Sequence, residues 1–367
     1  MFRFPDVTTP ATGGTTSGCI MPFDNIHLME RSRTPMHAFP VAVIFCIIAA
    51  SLTVAGCTSP SATAGPATNT SKTAEMPAVA GQPGAFTGAV PAIPATVDEA
   101  TGSRFANLTR FVKEAAAYAE EHGKEAALRE FNDPKGTFSR GERYIFAYDM
   151  NGSTLALPYQ QGLLGTDRSA LSDANGVEFI RGLADVARDG GGSLYYIYPN
   201  PEDNNREEFK ISSVLPVGSG WFVGSGIYLP EVPAVFNTTE RDNLVDRVKQ
   251  ARRYAQEEGT KKAIADFNDR NGTFADGSRY IFAYAYNGTT LALPFQPDLI
   301  GTNRMNFSDI NGVKITAWEI AVAKRGGGFV YVNYLNPESG ASGLKLCYVA
   351  PADGDWLVGS GIYTRQG

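Results

Sequence analysis

The residues RYIFAYDMNGSTLALP at 143–158 return as RYIFAYAYNGTTLALP at 279–294, an offset of 136. The match runs far beyond this stretch. Residues 131–200 align with 267–336 without a gap and are identical at 38 of 70 positions. After a one-residue slip, Lys210 answers to Lys345, Trp221 to Trp356, and GSGIY at 224–228 to GSGIY at 359–363. A chain that writes one unit twice must fold that unit twice. The period is too long for a solenoid, whose repeats run about 20–45 residues. It suits two ordinary domains within the 367 residues.

Within each copy the residues order the elements. FVKEAAAYAEEHGKEAALREFN is rich in Ala, Glu and Lys, all strong helix formers. Val112, Ala115, Ala116 and Ala119 form an apolar stripe at helical spacing, read as core. Gly123 should end this helix before a short second one. Tyr144, Phe146 and Tyr148 then alternate with Ile145 and Ala147, which predicts a strand covered on both faces. Asn151-Gly152 signals a hairpin, and Pro158 stops the return strand. SDANGV (172–177) and SDINGV (308–313) read as Asx turns leading into a helix that ends at Gly190–Gly192 in the first copy. Three strands follow: SLYYIY (193–198), EFKISSV (208–214) and GWFVGSGIY (220–228). Short turns between them favour an antiparallel sheet with helices packed on it, an α+β class.

The N-terminus reads as an address. Arg31 and Arg33 precede an apolar run from Phe39 to Val54, too short to favour a membrane span, and small residues lead to Val54-Ala55-Gly56-Cys57. That ending resembles a lipobox, which implies a lipidated Cys57 and an extracytoplasmic chain anchored to the membrane. An uncleaved anchor is the other reading. Met21, Met29 or Met36 is a candidate start, with residues 1–30 upstream of it. Residues 58–100 are rich in Ala, Thr, Pro, Ser and Gly and cannot bury enough surface to fold, so they read as a disordered tether. The folded units are then expected at 101–232 and 238–367.

Composition removes several kinds of chemistry. The net charge of −6 and absence of a basic patch argue against nucleic acid. The chain has three histidines and four cysteines, most of them before residue 58, so no metal site, cofactor site or His-based triad is expected. Gly190–Gly192 lies at a helix C-terminus without the P-loop Lys, the wrong end to cradle a phosphate.

As an ordered series, FNDPKGTF, YIFAYDMNGSTLALP, GTDR, SDANGVEF, GGGSLYYIYPNP, EFKISSVLPV and WFVGSGIY resemble a Cache domain of the second type. The second copy gives the same series from FNDRNGTF to WLVGSGIY. The resemblance covers about 105–230 and 240–367. It implies two PAS-like domains, each a central antiparallel sheet with a long N-terminal helix on one face and a ligand pocket against the other. It also implies an extracytoplasmic sensor of small molecules such as organic acids or amino acids. No membrane span or output module follows the second copy, so a membrane receptor or transporter would have to read the bound state.

Candidate binding residues recur in both copies. Lys210 and Lys345 are lone cations in apolar strands, where an unpaired charge is costly, and each would neutralise a ligand carboxylate. Exposure on the strand's outer face is the competing reading. Tyr148, Tyr284, Tyr195 and Tyr331 offer hydroxyls to a pocket wall, against ordinary sheet packing. Arg143, Arg279, Arg168 and Arg304 would clamp a carboxylate as forks, against surface ion pairing. Asp149 becomes Ala285, and Ile197 becomes Asn333; if these positions line pockets, the copies differ in ligand. A non-enzymatic small-molecule binder is expected. The alternatives are a structural or adhesive surface module and, with least support, a carboxylate-based hydrolase.

Overall fold

The computed structural model describes residues 99–364. The leader, Cys57 and the tether up to residue 98 lie outside the described residues. Helix α1 (Glu99–His122) buries Leu108, Val112, Ala115 and Ala119. It stops at Gly123, whose φ of 80° glycine adopts without a Cβ clash, and α2 (Lys124–Phe131) follows. The second copy repeats this with α4 (Thr238–Glu258), Gly259 at φ 84° and α5 (Thr260–Phe267). Asn237 caps α4, its Oδ1 accepting from the Thr239 amide at 2.8 Å.

The strands of the first copy are β1 (Ser139–Arg140), β2 (Arg143–Tyr144), β3 (Phe146–Asp149), β4 (Thr154–Ala156), β5 (Gly192–Asn200), β6 (Arg206–Val217) and β7 (Trp221–Tyr228). Between β4 and β5 lies α3 (Phe179–Arg188). The second copy supplies β8 (Ala275–Asp276), β9 (Arg279–Tyr280), β10 (Phe282–Ala285), β11 (Thr290–Ala292), α6 (Ile315–Lys324), β12 (Gly328–Leu335), β13 (Ser342–Pro351) and β14 (Trp356–Tyr363). Two five-stranded antiparallel sheets result, ordered β4-β3-β7-β6-β5 and β11-β10-β14-β13-β12. The fold is α+β, as expected. Both sheets belong to one compact unit.

The opening strand is interrupted. It breaks at Ile145, whose amide donates to Phe138 O at 3.0 Å instead of to the sheet. Ser225 Oγ donates to Tyr144 O across the break at 2.8 Å, and Ser360 does the same to Tyr280 O. The hairpin forms at Asn151-Gly152 with a bulge at Ala147/Tyr148. Asp149 Oδ1 accepts from the amides of Asn151 and Ser153 at 2.9 and 2.8 Å, an Asx turn. In the second copy Asn287 Oδ1 takes over, accepting from Thr289 N at 3.0 Å, which frees the matching position to be Ala285.

Directly paired residues of antiparallel strands share a face. Tyr196, Lys210 and Tyr228 are therefore on one face of the first sheet, and Tyr195, Ile211 and Ile227 on the other. Helix α3 covers the first face, while α1 packs along β6 and β7. The two copies meet near β5 and β12 and through α3 and α6. Asn311 Nδ2 donates to Tyr195 Oη at 2.7 Å, and Asn175 Nδ2 donates to Tyr331 Oη at 2.6 Å, the same contact made reciprocally. Charges at matching positions are inverted across this interface. Glu178 and Asp189 in the first copy correspond to Lys314 and Arg325 in the second. Lys314 pairs with Asp189 at 2.7 Å, and Arg325 pairs with Asp185.

Candidate functional site

Lys210 lies between Tyr196 of β5 and Tyr228 of β7 and is 1 % exposed. An alternating strand would have let it face water; instead, both faces of the sheet are covered. Gly226 makes the room. A Cβ there would stand 2.3 Å from Lys210 Cε and from Ser212 Oγ. Gly361 serves Lys345 in the same way, with Lys345 Cε at 2.5 Å. Gly224 and Gly359 leave space for the Phe146 and Phe282 rings, at 2.5 and 2.4 Å. The repeated GSGIY is thus a pair of openings in the sheet around a stitching serine.

The Lys210 ammonium rests on aromatic faces, 4.3 Å from the Tyr228 ring centroid, 4.6 Å from Tyr144 and 5.4 Å from Tyr198. It donates to Tyr228 Oη at 3.1 Å and to Tyr144 Oη at 3.3 Å. Burial pushes its pKa down to about 7, opposed by the more distant Glu142. Among the described residues no carboxylate forms an ion pair with it.

Beside this lysine is a cavity of about 10 Å³ lined by Tyr144, Phe146, Tyr148, Leu157, Phe179, Ile180, Leu183, Tyr196 and Tyr198. That volume fits roughly one water. Arg168 bridges two of the lining tyrosines, donating through Nη1 to Tyr148 Oη at 3.2 Å and to Tyr198 Oη at 3.1 Å. Tyr198 in turn donates to Gln160 Oε1 at 2.8 Å. Arg168 therefore lies behind two lining tyrosines and forms no ion pair among the described residues.

The second copy builds the same cavity with different chemistry. Its volume is again about 10 Å³, and its lining includes Tyr280, Tyr284, Leu293, Glu319, Val332, Tyr334, Lys345 and Cys347. Lys345 is 2 % exposed, with Tyr280, Tyr363, Phe282 and Tyr334 rings at 4.1, 5.0, 5.6 and 5.8 Å. Unlike Lys210, it borders the cavity directly. Burial lowers its pKa. Arg304 donates to Tyr334 Oη at 2.8 Å and rests 3.8 Å over the Phe307 ring. Leu183, Tyr196 and Ser212 of the first copy are replaced by Glu319, Val332 and Cys347. Burial pushes Glu319 up to about 8, with Lys345 and Arg304 pulling the other way.

The sequence-predicted residues divide into two groups. Tyr148 lines the first cavity, and Lys210 and Arg168 hydrogen-bond its lining tyrosines; Lys345 and Tyr284 line the second, and Arg304 hydrogen-bonds its Tyr334. Tyr195 and Tyr331 lie on the opposite face, between the two copies, where their hydroxyls accept from Asn311 and Asn175. Arg143 lies against the Phe111 ring of α1, and Arg279 forms an exposed ion pair with Asp276 at 2.9 Å. These four do not reach the cavities. Neither do Asp149, which closes its own turn, and Ile197, on the Tyr195 face. The lining tyrosines Tyr144, Tyr198, Tyr280 and Tyr334, together with Tyr228 and Tyr363 against the lysines, are additional to the expected set. Their signal was available: GSGIY ends in the tyrosine that pairs across the sheet with each lysine.

A Cache domain model matches residues 135–365. The sensor histidine kinase MctS of Rhizobium johnstonii is 33% identical over 110 residues, which are 30% of this chain and 23% of that protein. The matched segment spans about a quarter of that curated relative. Among solved structures, a methyl-accepting chemotaxis protein from Vibrio parahaemolyticus is 23% identical, covering 34% of this chain and 88% of that one at a TM-score of 0.31. The ligand-binding domain of the Pseudomonas aeruginosa amino acid chemoreceptor PctB, in complex with L-Arg, is 14% identical, covering 72% and 88% at a TM-score of 0.22.

Proposed function

Because this chain belongs to the Cache domain family, whose model matches more than half of it, we propose that it is a small-molecule sensing or capture protein that binds carboxylate-bearing ligands at its buried lysines. One observation carries this reading. Two lysines at matching positions are buried at 1 % and 2 % exposure, and neither has an ion-pair partner among the described residues. An unpaired buried cation is costly, and a ligand carboxylate would remove that cost. In this reading the tyrosine hydroxyls, and Arg168 or Arg304 bonded to them, orient the same carboxylate.

A cavity sized for one water must open to admit even acetate. Binding therefore shifts α3 or α6 against its sheet, and that shift is the signal. In this reading the unit lies outside the cytoplasm, anchored through a lipidated Cys57 as the lipobox-like Val54-Ala55-Gly56-Cys57 suggests, and a membrane receptor or transporter reads the shift. No helix among the described residues is long and apolar enough to cross a membrane.

Thermal-shift titration with acetate, propionate and small amino acids tests the reading, since a ligand of the native state raises Tm. At least one carboxylate should stabilise the protein, and Lys210→Met with Lys345→Met should together abolish the effect. A double variant that keeps the full shift rules out the lysines as carboxylate partners.

A further inference from the structure

The two cavities are not equivalent, and the difference falls on one helix position that lines each of them. At that place on α3 the first copy has Leu183, and on α6 the second has Glu319, 2 % exposed. Glu319 Oε2 is buried without a hydrogen-bond partner. Lys345 borders the same cavity and lies too far from Glu319 for an ion pair. One space is thus bordered by a buried acid and a buried base that attract each other without forming an ion pair, and one oxygen of the acid is left without a hydrogen-bond partner.

We infer that the second cavity takes a small zwitterion, its carboxylate on Lys345 and its ammonium on Glu319, while the first takes a carboxylate that carries no ammonium. This inference rests on the carboxylate reading above and assigns the ligand class of each cavity. A simple anion in the second cavity would satisfy Lys345 but leave Glu319 buried without a cation, held in its protonated form. A simple cation would have the converse problem. A molecule with both charges satisfies both groups, and an unmet buried charge costs more than its pair returns. In the first cavity Leu183 stands where the Glu319 carboxylate would be, so the same zwitterion would bury its ammonium without an ion-pair partner.

Lys345 and Arg304 both attract a Glu319 carboxylate, but neither forms an ion pair with it. From β13, Cys347 makes a hydrogen bond with Glu319. Tyr280, Tyr284 and Tyr334 line the cavity from β9, β10 and β12, and Tyr363 of β14 packs on Lys345. Arg304 is committed to Tyr334 and the Phe307 ring. A neutral, protonated Glu319 is the resting state that its burial favours. An incoming ammonium would restore the carboxylate and release a proton.

Calorimetric titration with propionate and β-alanine, which differ only in the ammonium, tests this on the full chain carrying Lys210→Met, so that the second cavity alone reports. β-Alanine should bind at least roughly tenfold tighter than propionate. Adding Glu319→Gln, which keeps the volume and removes the charge, should cancel that preference and leave propionate as tight or tighter. Glu319→Leu repeats the test with the residue the first copy already accommodates. An unchanged preference in a folded variant, or a preference for propionate before substitution, overturns the inference while leaving the carboxylate reading intact. If neither probe binds any of these proteins or the unsubstituted chain, both readings fall.

Discussion

Gly182 and Trp318 hold matching positions in the two copies, and they touch each other. A Cβ on Gly182 would lie 2.2 Å from Trp318 Cη2 and 2.8 Å from Cζ2. One copy has no side chain where the other has the largest one, so the helices α3 and α6 can approach across the interface. In an exposed helix, Gly→Ala would stabilise by roughly 1 kcal/mol. Here the methyl meets a rigid indole, and overpacking of this kind costs about 1–3 kcal/mol. Gly182→Ala should therefore lower the free energy of unfolding, measured in urea. In a Trp318→Ala background the same change should be neutral or stabilising, a coupling that distant sites would not show.

The glycines of GSGIY make a second prediction. Gly226→Ala puts a methyl 2.3 Å from Lys210 Cε and 2.9 Å from Ile211 O. The lysine can swing away, but the backbone oxygen cannot. We expect a loss of about 1–3 kcal/mol together with a loss of carboxylate binding at the first cavity. Gly220→Ala is the control, since its Cβ would meet nothing within 4 Å. It should leave both properties unchanged.

Proton linkage at Lys210 gives a third prediction. In the folded protein its pKa is about 7, below the ordinary 10.5. Between these values the unfolded chain holds a proton that the folded one lacks, so the lysine's contribution to stability rises with pH across that window. Below about 7 the folded state must carry the buried charge, and the penalty is constant. The stability of the unsubstituted protein relative to Lys210→Met should therefore increase from pH 7 to pH 10. A difference that stays flat over this range contradicts the burial of an unpaired ammonium. Carboxylate binding follows the opposite course. The ligand requires the charged lysine, so affinity at this cavity should fall roughly tenfold per pH unit above about 7.

Much of this was legible in the sequence because it was written twice. The helix stripe, the glycine between helices, the hairpin at Asn151-Gly152 and the Asx turns depend on local chemistry, and all recur at the same offset. Lys210 and Lys345 stood out because a lone charge in an apolar strand needs an explanation. The failures came from the period of two. Tyr195 and Tyr196 are neighbours on opposite faces, and when both faces of a strand are apolar no pattern tells which one meets the cavity. The interface between the copies was equally invisible, since Tyr331 and Asn175 are brought together from 156 residues apart. Glu319 is illegible for another reason: repetition marks the residues that both copies share, and Glu319 matters because it is not shared.

The most direct test of the central claim is a crystal structure of the protein grown with propionate. The account predicts propionate density inside a cavity, with a carboxylate oxygen within hydrogen-bonding distance of Lys210 Nζ or Lys345 Nζ and the adjoining helix displaced from its sheet. Propionate that raises Tm yet lies outside both cavities, with the lysines still packed on their tyrosine rings, would contradict it.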